Sequence, residues 1–212
     1  MLAGYHDTPR LALLELIGDR APSRVLEIGC GTGATLAALK RRFAGAHTTG
    51  LERLPAAAQA AREAHNADQV VQADVLDASA VNFAAARFDL VILSHVLEHF
   101  AEPQAVLARV RHWLAADARL LVALPNVRHL SALLPLLLRG EFDYQPSGIL
   151  DRTHLRFFTR KSAERFFAEQ GFVVEAAAAD INGPKSTLLD RASFGLARDF
   201  AAFAWNFRLR AA

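Results

Sequence analysis

Read for apolar and polar positions, the chain alternates between short buried runs and longer amphipathic stretches. Arg24 to Ile28 and Phe88 to Leu93 are almost continuously apolar, as strands covered on both faces are. Thr48 to Leu51, Gln69 to Ala73, Arg119 to Leu124 and Phe172 to Ala177 predict further strands, with Ala204 to Arg210 as a last one. Between them the apolar period lengthens to that of a helix. Thr8 and Pro9 predict an N-cap and first turn for a helix lined by Leu11, Leu13, Leu14, Leu16 and Ile17, which Gly18 stops. Ala34 to Phe43, Pro55 to about His65, a segment beginning near Pro103, and Lys161 to Gln170 predict the others.

Strand and helix therefore alternate, which predicts an α/β fold: a mostly parallel, seven-stranded sheet with helices on both faces. Two segments break the rhythm. Asn126 to Arg160 and Asp180 to Asp199 are too long for simple connections, and such insertions often carry binding groups. The first holds an apolar, helix-like run from Leu130 to Leu138. It is expected to form a lid over an acceptor site, together with the N-terminal segment around Tyr5 and His6.

The chemistry gathers where the first strand ends. VLEIGCGTG (25–33) places Gly29, Gly31 and Gly33 between a strand and a helix, where a ligand would touch backbone. The spacing is Gly-x-Gly-x-Gly, whereas a dinucleotide turn has Gly-x-Gly-x-x-Gly with pyrophosphate at the helix N-terminus. Glu27 puts a carboxylate inside this turn, which repels a phosphate and attracts a cation. Glu52 and Asp74 close the second and third strands. Ionised carboxylates only accept hydrogen bonds, so the first suits ribose hydroxyls and the second an adenine amino group.

With those residues the chain resembles the class I S-adenosylmethionine-dependent methyltransferases. The motifs are VLEIGCGTG, GLER (50–53), QADVLD (72–77) and FDLVILSHVLEHF (88–100). LLVALPNVRHL (120–130) and DRTHLRFFTRKSAERFFAEQGF (151–172) resemble a branch acting on small molecules and sugars. The resemblance implies a Rossmann-like fold, one domain over residues 1–212, and S-adenosylmethionine as cofactor. Glu27 and the backbone of Gly29, Cys30, Gly31 and Gly33 would hold its methionine part. Glu52 would take the ribose, with Arg53 flanking the adenine. Asp74 and Val75 would read the adenine edge, and Ser94 with His95 would close over the sulfonium.

His95-Val-Leu-Glu98-His99 also reads H-x-x-E-H, the pattern of one metallopeptidase group. That mechanism needs both histidines on one helical face, whereas this motif follows directly on a buried strand. The segment is also similar to the quinone O-methyltransferases, whose E-x-x-E-H is associated with a divalent ion. His95 departs from that pattern, and the reading assigns no metal. His154 is the leading base on the acceptor side and His95 the second. Tyr5, Asn126, Tyr144, Arg152 and His154 are expected to meet a small-molecule or sugar acceptor, methylated at a hydroxyl oxygen.

Composition narrows the alternatives. The 212 residues are 52% hydrophobic and 22% charged, with a formal charge of +2. This describes a globular domain and gives no strong field for nucleic acid. The arginines and aromatics of DRTHLRFFTRK could suit RNA, but Leu155, Phe157 and Phe158 fit packing under the lid better. An RNA or macromolecule methyltransferase, a non-catalytic binding domain and an NAD-dependent oxidoreductase are the rival readings. Cys30 is the only cysteine, which suits a reducing cytoplasm, and no apolar run reaches the roughly 20 residues that span a bilayer. A homodimer is left open.

Overall fold

The structure is a computed structural model and describes residues 8–81, 83 and 87–212. Tyr5 and His6, assigned to the lid, lie outside the described residues. Among these, seven strands make one sheet: β1 (Arg24–Ile28), β2 (His47–Glu52), β3 (Gln69–Gln72), β4 (Phe88–Ser94), β5 (Leu114–Pro125), β6 (Phe172–Asp180) and β7 (Ala204–Ala211). Their order is β3-β2-β1-β4-β5-β7-β6. β1 to β5 pair in parallel, and β7 runs antiparallel between β5 and β6. This is the mostly parallel sheet that the alternation predicts, in the Rossmann-like form that the resemblance implies.

The helices are α1 (Leu11–Leu14), α2 (Ala34–Arg42), α3 (Pro55–Glu63), α4 (Pro103–Arg111), α5 (Leu130–Arg139), α6 (Arg160–Glu169), α7 (Pro184–Ala192) and α8 (Arg198–Ala201). Period-2 alternation divides the central strands between two cores. Leu26, Ile28, Val91, Leu93, Leu120 and Val122 face one layer. Val25, Leu90, Ile92 and Leu121 face the other, against Leu13, Ile17, Leu36 and Leu39. Both faces of the sheet are thus covered, and the strand ends are what remains for a site.

Two expectations change in detail, and a third segment gains its structure. The first helix does not start at Thr8–Pro9: its N-cap is Arg10, whose backbone N–H reaches Thr35 Oγ1 at 3.3 Å. That tertiary tie replaces the local cap, and the segment continues as a 3-10 turn from Glu15 to Ile17 before Gly18 stops it. β5 begins at Leu114 rather than Arg119, because Phe88 pairs with Leu114 beyond an irregularity in the register. The second insertion carries α7 and α8.

Asn126, expected at the acceptor, has several partners within the protein. It is 1% exposed, and its amide donates to the carbonyls of Asp199 at 2.7 Å and Ala202 at 2.8 Å. Its Oδ1 accepts the N–H of Arg128 at 3.2 Å. The side chain therefore ties the end of β5 to the segment entering β7, and Arg128 reinforces the tie through Asp199 at 2.6 Å. Removing such a donor leaves buried carbonyls unpaired. Asn126→Ala should cost about 1–3 kcal/mol in urea unfolding. Unchanged stability together with a selective loss of acceptor affinity would return Asn126 to the acceptor.

Candidate functional site

The order of strands reverses between β1 and β4, the place where open α/β sheets bind ligands. The glycine turn sits at that point. Gly29, Gly31 and Gly33 have φ of 69°, 55° and 79°, in the left-handed region that side chains disfavour. Protein atoms add to the demand. A Cβ on Gly29 would lie 2.8 Å from the Val96 side chain, and one on Gly33 would lie 2.8 Å from Asn66 Cβ. The turn therefore runs flat against its own neighbours, with its amides at the strand ends. Gly29 N–H donates to Leu51 O at 2.8 Å, and Gly31 N–H donates to Glu52 Oε2 at 2.8 Å.

Glu52 holds more than one partner, since its Oε1 accepts the N–H of Leu54 at 2.8 Å. Each carboxylate oxygen has a further lone pair, so these bonds do not prevent it from accepting hydroxyls. Beneath the turn, Glu27 is 3% exposed and its Oε2 has no hydrogen-bond partner among the described residues. Burial pushes its carboxyl up to about 8, opposed by a hydrogen bond from Thr35 and by the charge of Arg10, while Glu52 adds repulsion. A buried carboxyl with an unmatched oxygen fits an ammonium group. Asp74 stands at the next strand end, where Oδ1 caps the N–H of Leu76 at 2.9 Å, and Val75 beside it is buried. Arg53 is exposed.

Cys30 offers only its backbone. Its thiol packs inward over Gly50, where a Cβ would come within 2.6 Å of Sγ, and burial pushes its ionisation far up.

Across the switch point, β4 ends at Ser94, whose Oγ is buried without a partner among the described residues. His95 follows with φ 55°, an outlier for a bulky residue, and its N–H is held by Ala123 O at 3.0 Å. Its Nδ1 lies 3.2 Å from Glu98 Oε1, and Glu98 is 1% exposed with Oε2 unpartnered among the described residues. Leu97–His99 is a short 3-10 turn, so His95 and His99 share no helix and the peptidase geometry is absent.

His154 is buried, with Nδ1 2.9 Å from Ile149 O and its ring edge-on to His99, centroids 4.9 Å apart. A carbonyl can only accept, so Nδ1 carries the proton and Nε2 is the basic nitrogen. Glu98, His99 and His154 bring one donor atom each within 4.8 Å of one another, a set that could hold a cation. Motif spacing could not show this, because His154 comes from the far end of the long connection. Tyr144 packs on Phe142 and Phe157 in that connection, and Arg152 is exposed there.

A reversal point, a left-handed glycine turn and acids on consecutive strand ends define an α/β domain built for a nucleoside cofactor with a cationic end. Residues 5–177 match the family described as methyltransferase domain, and the chain belongs to that family. It is thereby a class I S-adenosylmethionine-dependent methyltransferase domain. It is 32% identical over 135 residues to the ubiquinone biosynthesis O-methyltransferase of Xylella fastidiosa, covering 61% of this chain and 53% of that protein. The chain thus spans about half the length of that relative. Among solved structures, the PH0226 protein from Pyrococcus horikoshii superposes with a TM-score of 0.66 at 17% identity, over 95% of this chain and 87% of that one. NcsB1, an O-methyltransferase from neocarzinostatin biosynthesis solved with S-adenosyl-L-homocysteine, gives 0.58 at 19% identity, over 90% and 49%. These two likenesses concern the fold.

The raised Glu27 carboxyl has a thermodynamic consequence. The unliganded folded state keeps its proton up to about 8, whereas the unfolded chain releases it near 4.5. Between those values the folded state holds more protons, so this contribution to stability is full at acid pH and is lost as pH rises through 8. Urea midpoints of the unliganded protein should fall across that window. Glu27→Gln should flatten the fall, and an equally steep fall in the variant would show that another group causes it.

Proposed function

We propose that this chain transfers a methyl group from S-adenosylmethionine to a small-molecule acceptor, at a hydroxyl oxygen. The observation that carries the reading is Glu27, a buried carboxyl with one unmatched oxygen directly below the glycine turn. The residues present fit the cofactor. Glu27 would take the α-ammonium, the turn at Gly29, Gly31 and Gly33 the carboxylate end, Glu52 the ribose hydroxyls, and Asp74 with Val75 the adenine. When bound, the cofactor supplies an electrophilic methyl on a good leaving group.

The chain must then align the acceptor, exclude water and accept a proton. His95 suits the last task better than His154. Its Nδ1–H is directed to the Glu98 carboxylate, which fixes the ring and makes Nε2 the basic nitrogen. It also stands at the end of β4, beside the switch point, whereas His154 is packed against His99 and Phe157 farther along the chain. The name of the Xylella fastidiosa relative supports an oxygen acceptor, and the exposed rings of the long connection suit a small apolar one. A single buried cysteine suits a reducing compartment such as the cytoplasm.

Two measurements test the reading. S-adenosylhomocysteine, which keeps the α-ammonium, should bind in calorimetry while NAD does not. At about pH 7 its binding should release a proton, because the ammonium draws Glu27 into its ionised form. Repeating the titration in buffers of different ionisation enthalpy reads that proton directly. Affinity should tighten as pH rises toward 8, and Glu27→Gln should lose both effects. Proton-neutral binding by the native protein would remove the ammonium from Glu27.

Turnover is the second readout, using labelled S-adenosylmethionine and a panel of phenols and other hydroxy compounds. His95→Gln should lower kcat by about 10²–10⁴ while S-adenosylhomocysteine affinity is retained, with partial rescue by added imidazole. Glu98→Gln should give a smaller loss. Full activity in His95→Gln would move the base to His154.

A further inference from the structure

The two connections after β5 and β6 leave an apolar surface that neither core uses. α5 reads LSALLPLLLR, and its Leu137 and Leu138 are 67% and 78% exposed. Beside it, Leu188 on α7 is 68% exposed, and the turn after α7 carries Phe194 at 95% and Leu196 at 90%. The helices meet along an open groove of about 280 Å³, lined by Leu133, Leu134 and Leu137 from one side and Leu189, Ala197 and Phe200 from the other. Single exposed leucines are ordinary, but several on elements that share one apolar groove mark an interaction face.

The backbone sharpens the point. Phe194 has φ 50° and Gly195 φ 81°, so a bulky residue sits in a conformation it disfavours at the tip of a turn. Hydrogen bonds from Phe194 N–H to Arg191 O and from Gly195 N–H to Asp190 O hold that turn. Its apolar side chains project outward, which makes the tip a wedge rather than a socket.

Charge indicates what the wedge meets. Arg139 pairs with Glu141 and Arg198 with Asp190, which leaves Lys185 and Arg191 as cations without an acidic partner among the described residues. Exposed leucines and phenylalanine beside unpaired lysine and arginine are the chemistry of an interfacial contact with anionic headgroups. A second copy fits less well, since a two-fold contact sets each patch on itself and brings like charges together.

We propose that this face docks on a lipid bilayer carrying anionic headgroups, with Phe194, Leu196 and the outer leucines of α5 entering the interface. α5 has 10 residues, about 15 Å of helix, half the roughly 30 Å of a hydrocarbon core. It lies along the surface and does not cross.

The test uses the full chain with sedimented vesicles of phosphatidylcholine alone and of phosphatidylcholine mixed with phosphatidylglycerol. Binding should require phosphatidylglycerol and weaken as salt rises. Phe194→Ser with Leu196→Ser should reduce it by about tenfold or more, and Lys185→Glu with Arg191→Glu should abolish the preference for phosphatidylglycerol. All four side chains are exposed, and circular dichroism verifies that the variants fold. Failure of the native chain to sediment with either vesicle overturns the proposal. So does undiminished binding by the Phe194/Leu196 variant, or light scattering that shows a native dimer split by those two substitutions.

Discussion

A turn with three glycines in the left-handed region has little to hold it, and in this fold Glu52 does so. Its carboxylate reaches from the end of β2 to the N–H of Gly31 and, with its other oxygen, to the N–H of Leu54. One side chain thereby fixes the turn after β1 and the start of the segment leading to α3. The register of β1 with β2, which pairs Ile28 with Leu51, brings the two strand ends level so that the reach is short. Any ligand bound on the turn binds a shape that this carboxylate has already set. Replacing Glu52 by a residue without acceptors therefore disturbs the turn itself.

The same edge of the sheet collects Glu27, Glu52 and Glu98, all buried, within a chain whose overall charge is close to neutral. Burying acids is costly unless each is matched. Glu52 is matched by backbone amides and Glu98 in part by His95. Glu27 answers by keeping its proton. A cofactor with a positively charged end turns this arrangement from a cost into a binding force, because the ammonium favours the ionised form. A pyrophosphate offers no positive group to draw Glu27 into its ionised form. The electrostatics thus agree with the glycine spacing in separating this site from that of an oxidoreductase.

What the sequence made legible follows the range of the interactions. Strands covered on both faces are nearly continuous apolar runs, so β1 and β4 could be read directly. The glycine turn could be read from its three alternate glycines and the acids from their places at strand ends, although the bond from Gly31 to Glu52 spans 21 residues. The start of α1 could not, because Arg10 gives its amide to Thr35, 25 residues away. Nor could the role of Asn126, which is set by carbonyls of Asp199 and Ala202. An asparagine after a strand looks the same in sequence whether it faces a ligand or ties two segments. The pairing of His95 with Glu98 is local, and the motif's place directly after a buried strand already set it apart from a peptidase helix, as the positive φ at His95 and the 3-10 turn agree.

That turn also limits how the long connection can move. The backbone carbonyl of Glu98 accepts N–H groups from Leu155 at 2.8 Å and Arg156 at 3.1 Å, and Arg156 reaches on to the carbonyl of Ala101. At the other end Asn126 is tied to the entry of β7 and bridged to Phe158. One end of the stretch first read as a lid is thus bonded to the turn after β4 and the other to the segment entering β7. Residues that could shift without breaking these bonds lie between them, around α5 and the Phe142–Tyr144–Phe157 rings. His154 belongs to the fixed part, held through Ile149 and leaning on His99. A base that must meet an arriving acceptor does best on a rigid element, and His95, seated at a strand end and braced by Glu98, meets that condition without any closure of the connection.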